Sequence, residues 1–280
     1  EMAGHVGREG KLHGDTAACR IRQGAPDRDH RKMGPGAGTG HRREAMTIGG
    51  QQIPLPIQRE DFATWQNWLS RLDTQPMEQW LSMGHPVSQS AYLWGGAHVG
   101  KSHVLQACCD MAGHNARYLP LADLLCFPPE QVLADAHLAS VVAIDDMDCI
   151  ENDEGWQEPL FTLFNRCMES GVQLLVAASK APAQLSALLP DLRSRLTSLT
   201  IFQLPHFSEE HIAALLRLRA EAAGITLSNE VLQYCALRLP RDAQKVVQFM
   251  EQLDRLSLAQ SRPVTIPLIR ESDLLNRTDD

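Results

Sequence analysis

From residue 91 onward the chain alternates short apolar runs with longer stretches in which apolar positions recur every three or four residues. The runs at 92–94, 116–119, 141–144, 173–178 and 199–204 predict strands. Those at 141–144 and 173–178 are apolar almost throughout, the pattern of strands buried on both faces. Helical periodicity occupies 101–112, 129–136, 156–169 and 182–189, and the third of these stops at Ser170-Gly171. Strands alternating with helices imply a parallel sheet covered by helices on both faces. After Pro205 only helical patterns remain. They start at Ser208, Ser228 and Arg241 and end near Gly224, Pro240 and Leu258, with a short piece after Pro267, so a small all-α domain follows the α/β one. Ahead of the first strand, 61–72 predicts a helix with Phe62, Trp65, Leu69 and Leu72 on one face, and Met77, Trp80 and Leu81 mark a second. Residues 51–57 are extended, because Pro54 and Pro56 forbid a helix. The expected division is 1–45, a disordered leader; 46–60, a peptide and linker; 61–205, the α/β domain; and 206–280, the helical domain.

Charge separates the leader from the rest. Residues 1–45 hold nine basic and six acidic residues, a net +3, and 9 of the 19 glycines, so the remainder carries −11 of the total −8. A body that acidic argues against general or sequence-specific DNA binding, which needs clustered Lys and Arg. The leader lacks the apolar segment of a signal peptide. It reads as non-native or disordered sequence with Met46 as a start, and a basic nucleic-acid-binding arm is the alternative. No apolar run approaches the roughly 18 residues of a membrane span. Seven cysteines without C-x-x-C spacing read as reduced thiols, which places the protein in the cytoplasm.

The chemistry concentrates where strands end. Gly95-Gly96-Ala97-His98-Val99-Gly100-Lys101-Ser102 is a complete G-x-x-x-x-G-K-S loop between a strand and a helix, with His103 following. Glycines let backbone N–H groups converge on phosphate oxygens at a helix N-terminus, Lys101 reaches the outer phosphates, and the Ser102 hydroxyl ligates Mg²⁺. The strand at 141–144 runs into Asp145-Asp146. Asp145 is placed to hold Mg²⁺ and Asp146 to orient or activate a water. Ser179 closes the strand at 173–178, either touching a terminal phosphate or capping the helix expected after it.

These motifs, with LFNRCMESG at 163–171, LPDLRSRL at 189–196 and FMEQLDRLS at 249–257, resemble the AAA+ ATPases of the replication-initiator group. The nearest likeness is to the Hda family of DnaA-related regulators, whose members lack the initiator's DNA-binding domain. The resemblance implies an AAA+ P-loop domain with a helical lid. It assigns Arg195 as an arginine finger, against the alternative of a surface ion pair, and leaves Arg193 a solvated neighbour. It implies ADP or ATP with Mg²⁺ as ligands, ADP being the working state. It also makes Gln52, Ile53, Leu55 and Ile57 a docking peptide for the sliding clamp, the β subunit of DNA polymerase III. One position departs from the family: Gln244 stands where the lid helix carries a sensor arginine, with Arg241 and Lys245 as candidate substitutes, which makes self-hydrolysis doubtful. Phe62 and Trp65 lie where the group packs residues around adenine.

The expected function is therefore a regulator that binds DnaA and the DNA-loaded clamp and stimulates hydrolysis of the ATP on DnaA. A helicase loader of the DnaC type, with DNA-dependent ATPase activity, is the alternative. Formation of a homo-oligomer is left open.

Overall fold

The apolar runs assemble as one parallel sheet. The computed structural model describes residues 63–82, 90–260, 263–272, 274 and 275. The leader, the peptide at 52–57 and Phe62 lie outside them. Strands β1 (Ala91–Trp94), β2 (Ala116–Pro120), β3 (Val141–Asp145), β4 (Gln173–Ala178) and β5 (Thr200–Gln203) lie in the order β2-β3-β4-β1-β5, every neighbouring pair parallel. The interior strands β3 and β4 are buried on both faces, whereas the edge strand β5 is largely exposed. That difference follows the sequence, where β3 and β4 are continuous apolar runs and β5 mixes Thr, Ile, Phe and Gln.

Six α-helices accompany the sheet: α1 (Gln75–Ser82), α2 (Lys101–Ala112), α3 (Leu121–Leu124), α4 (Pro129–Val132), α5 (Glu154–Ser170) and α6 (Pro190–Thr197). Two differ from the periodicity. The helix expected over 129–136 stops at Val132, because Asp135 turns left-handed (φ 55°) and a 3-10 turn follows at Ala136–Leu138. The helix expected over 182–189 is only a 3-10 turn at Pro182–Gln184, and the regular helix is α6, opened by Pro190 at its first position.

Beyond β5 the chain forms α7 (Glu209–Ala222), α8 (Asn229–Ala236), α9 (Ala243–Gln260) and α10 (Ile266–Ser272). They enclose their own core, with Ile212, Leu216, Cys235, Val246, Phe249, Leu253 and Ile269 at its centre. The starts carry local caps. Ser208 Oγ accepts from His211 N while His211 Nδ1 accepts from Ser208 N, both at 3.2 Å, a capping box with histidine in the place of glutamate. Ser228 Oγ accepts from Val231 N at 3.3 Å. Asp242 Oδ1 accepts from Gln244 N at 2.8 Å and Lys245 N at 3.2 Å.

The segment before α1 is the largest departure. Instead of a helix over 61–72, the described part has one 3-10 turn, Trp65–Asn67, and continues extended. The reason is that its side chains serve two cores. Trp65 and Trp68 pack against the α/β core, Leu69 packs against the core of α7–α10, and Leu72 is exposed. No single apolar stripe is buried, so nothing holds the segment helical. Arg71 fastens it: Nη1 donates to Pro205 O at 3.2 Å, and its guanidinium carbon lies 4.5 Å from the centre of the Phe207 ring. Nε stands 3.5 Å from Asp73 Oδ1, an ion pair too long for a hydrogen bond. Among the described residues no helix is long and apolar enough to cross a membrane.

Candidate functional site

In an open parallel sheet ligands collect beyond the carboxyl ends of the strands. There β1 delivers the loop 95–100, β3 delivers Asp145 and Asp146, and β4, lying between them, delivers Ser179. The three expected motifs thus meet at one end of the sheet.

The loop is shaped by close approaches. A Cβ on Gly95 would strike the Leu204 carbonyl oxygen, and one on Gly96 would strike the His206 ring. Gly100 caps α2 with φ 103°, and a Cβ there would also come within 2.7 Å of the Trp68 ring. His98 is left-handed as well, at φ 56°. Its Nε2 lies 3.8 Å from Asp242 Oδ2 at the start of α9, so the lid touches the loop at this point. Val99 is buried, and Ala97 sits exposed at the loop crest.

Lys101 turns back into the loop. Nζ donates to Gly95 O at 3.0 Å and Gly96 O at 2.6 Å. It is 9% exposed, and burial holds its ammonium below the usual lysine range against the opposing pull of Asp145, Asp146 and Asp148. Among the described residues no carboxylate comes within ion-pair distance of it. A buried cation satisfied only by carbonyls, beside glycines too crowded for side chains, is a cradle suited to an anion. Ser102, the next residue, has no side-chain hydrogen bond among the described residues. His103 is committed to the segment before α1. Its ring lies 5.4 Å from the Trp68 ring, Nε2 contacts Thr64 O at 2.9 Å, and burial lowers its basicity.

Asp145 is 1% exposed. Its Oδ2 accepts from the Tyr118 hydroxyl at 2.8 Å and its Oδ1 from Asp146 N at 3.0 Å. Each oxygen keeps a lone pair, so the carboxylate can still bind a cation. Asp146 adopts a left-handed conformation, φ 54°. Burial first, then the charges of Asp145 and Asp148, pushes its carboxyl up to about 6. That suits a proton acceptor working near neutrality.

Because the folded-state value of Asp146 lies above the unfolded one, the stability tied to this group is intact below pH 3.8 and is lost as pH rises through about 6. Asp146→Asn should remove that loss and fits the left-handed backbone. Relative to the parent, urea unfolding should show no gain at pH 3.5 and a gain of about 1 kcal/mol at pH 7.5, after discounting for partial exposure. An equal difference at both pH values would contradict the assignment.

A third acid, Asp148, completes the cluster and was not singled out from the sequence. It follows in the turn Met147–Ile150 and grips Ser179 twice: Ser179 N donates to Oδ1 at 2.9 Å and Ser179 Oγ donates to Oδ2 at 2.6 Å. Burial alone would raise the Asp148 carboxyl, but these hydrogen bonds and the charge of Lys101 hold it below the usual carboxylate range. Ser179 is therefore not the cap of the turn at Pro182–Gln184, whose N-cap is Ala181. Beside it, Lys180 Nζ lies 2.6 Å from Glu151 Oε2. The sequence signal for Asp148 was an acid three residues beyond Asp145, easily taken for solvated surface.

Arg195 takes no part in the hydrogen bonds of this cluster. It is exposed in the last turn of α6, with no side-chain partner among the described residues. The surface ion pair weighed from the sequence is absent among those residues. Arg193 lines an open depression formed with Ala183, Pro190, Ser194, Thr197 and Ser198. Gln244 and Arg241 are exposed at the start of α9, close to the Asp242 contact with His98. Trp65 packs edge-on to Trp68 at 6.1 Å, and its buried Nε1 has no hydrogen-bond partner among the described residues.

Two family models match the chain: the Hda lid domain over residues 209–272 and the bacterial DnaA ATPase domain over 132–202. Among solved structures, domain III of the Thermotoga maritima replication initiation protein DnaA superposes with a TM-score of 0.66 at 22% identity, over 77% of this chain and 95% of that one. AMPPCP-bound DnaA from Aquifex aeolicus gives 0.61 at 17% identity, over 70% and 65%. The Holliday junction branch migration motor RuvB of Thermotoga maritima gives 0.56 at 15%, over 76% and 72%. At such identities the structural likeness bears on the fold, an AAA+ core with its lid.

Proposed function

We propose, from the premise that this chain is a DnaA-related AAA+ protein close to Hda, that it regulates chromosome replication by stimulating hydrolysis of the ATP bound to DnaA. The observation that carries the reading is the pairing of a lid matching the Hda model with an arginine on α6 that is exposed and unpaired among the described residues. An arginine finger has to be solvent-facing and uncommitted, since its target lies on another subunit. Arg195 would enter the DnaA nucleotide site and neutralise charge building on the γ-phosphate as water displaces it, yielding ADP and phosphate.

The chain's own cradle would hold ADP or ATP. Backbone N–H groups of 95–101 and the Lys101 ammonium would bind the phosphates, and Ser102 with Asp145 would hold Mg²⁺. The bound cation would neutralise phosphate charge, as AAA+ sites require. Asp146 would orient water at this site, with Ser179 held beside it by Asp148, and without a lid arginine at Gln244 we assign the chain little turnover of its own. Arg241 and Lys245, near the loop, are the lid cations available instead.

Tethering to the clamp is assigned to Gln52, Ile53, Leu55 and Ile57. Leu55→Ala combined with Ile57→Ala should abolish retention on immobilised clamp, because the two apolar anchors supply most of such a peptide's affinity. Unchanged retention would refute the peptide. The whole reading is tested by loading DnaA with labelled ATP, adding clamp on nicked DNA and then this protein, and following conversion to ADP. Clamp-dependent conversion is the expected result. No conversion by folded, nucleotide-bound protein would overturn it and turn attention to a DNA-stimulated ATPase assay for helicase loading.

A further inference from the structure

Gln157 lies in the first turns of α5 and is 2% exposed. A buried amide must place two N–H donors and a carbonyl oxygen, and every partner of this one is a backbone group. Nε2 donates to Ile150 O at 2.9 Å and Glu151 O at 3.0 Å, with Ala187 O more distant at 3.4 Å. Oε1 accepts from Leu189 N at 2.7 Å. Ile150 and Glu151 belong to the turn that follows Asp145 and Asp146. Leu189 is the N-cap residue of α6, a helix with no side-chain cap of its own and with Pro190 at its first position. One side chain therefore ties the end of the nucleotide-binding strand to the start of the helix that carries Arg195.

The tie is continued on the other side. The same turn is held by Asp148 to Ser179, and Glu151 is held by Lys180. A hydrogen-bonded path thus runs from the end of β4, through the turn after β3, through Gln157, to the N-terminus of α6. Beyond its start α6 buries Leu192 and Leu196, one turn apart, so the bond from Leu189 N to Gln157 is a polar tie added to an apolar seat.

We propose that Gln157 is a positioning residue for Arg195, setting the placement of α6 against the turn that closes the nucleotide cluster. The proposal rests on Arg195 acting as the finger. A finger must reach its target to within about 1 Å, and misplacement on that scale costs about 10²-fold in rate. Gln157→Met keeps the volume of the side chain and removes all of its hydrogen bonds.

The test measures clamp-dependent hydrolysis of ATP on DnaA with the parent, Gln157→Met, Arg195→Ala and the double variant, all at a temperature well below the lowest unfolding midpoint. Gln157→Met should lower the maximal stimulated rate 10- to 100-fold while its ADP affinity and clamp retention stay at the parent's. Added to Arg195→Ala it should cause no further loss, because both act through one guanidinium. Gln157→Glu retains the acceptor for Leu189 N but aims its second oxygen at the carbonyls of Ile150 and Glu151, so it should recover part of the rate only as falling pH protonates it. A folded Gln157→Met protein with the parent's rate overturns the proposal, as does a loss that multiplies on the Arg195→Ala background. Full stimulation by Arg195→Ala alone would instead bring down the finger assignment, and this proposal with it.

Discussion

Arg195→Ala should bind ADP and the clamp as the parent does, yet lose on the order of 10³-fold or more of its stimulation of ATP hydrolysis on DnaA. The two halves of that expectation come from the same geometry. The side chain is exposed and makes no side-chain hydrogen bond or ion pair among the described residues, so its removal should shift stability by no more than about 0.5 kcal/mol. It stands on α6 and shares no hydrogen bond or ion pair with Lys101, Asp145 or Asp146 among the described residues, so the candidate nucleotide site of the chain should not register the change. What is lost is a planar, always-charged fork that binds two phosphate oxygens together. Arg195→Lys should therefore recover only a small part of the rate. Arg193→Ala is the internal control. Two residues earlier on a helix it projects from a nearly opposite face, and its effect should be within a few fold of the parent. Single-turnover conversion of DnaA-bound ATP measures all three, and a parent-like rate for Arg195→Ala would remove the finger.

The sequence yielded those parts of the site whose chemistry is local. A glycine loop between a strand and a helix, and two acids ending an apolar run, are complete within ten residues, and the sheet order then brings them together with Ser179. What the sequence did not yield depends on contacts between distant segments. Gln157 is one polar residue in an amphipathic helix until its partners at Ile150, Glu151 and Leu189 are known. Trp68 looks like one more core aromatic until it is found against Gly100, with Nε1 donating to Glu78 at 2.7 Å. The segment 63–74 misled because its apolar residues recur at helical spacing while facing two different cores. At α6 the two prolines, Pro182 and Pro190, offered two helix starts, and only Pro190 opens a regular helix. Such errors arise where tertiary contacts override local preference.

Lys101→Met should abolish nucleotide binding without weakening the ligand-free fold. In most proteins a buried lysine is paired with a carboxylate, and removing it strands the partner. Here Nζ is satisfied by the carbonyl oxygens of Gly95 and Gly96, with the nearest acids acting only at longer range. The ligand-free fold therefore bears a desolvated charge, which an apolar side chain of similar length relieves, so the unfolding midpoint should stay level or rise slightly. Binding should suffer far more. Truncating one member of a buried charge pair costs about 2–5 kcal/mol, which is at least a 30-fold loss of affinity for ADP. The cleanest readout is ligand-induced stabilisation. ADP at about 100 times the parent's Kd should add about 2.7 kcal/mol to the parent and no more than about 0.9 kcal/mol to the variant. A variant that ADP stabilises as much as the parent would show that the cradle is not where the phosphates bind. A variant that unfolds without ligand would make Lys101 structural. The expected pattern is the reverse of that for Arg195→Ala, which keeps the ligand and loses the partner's reaction. The two substitutions together therefore separate the candidate nucleotide site from the surface proposed to act on DnaA.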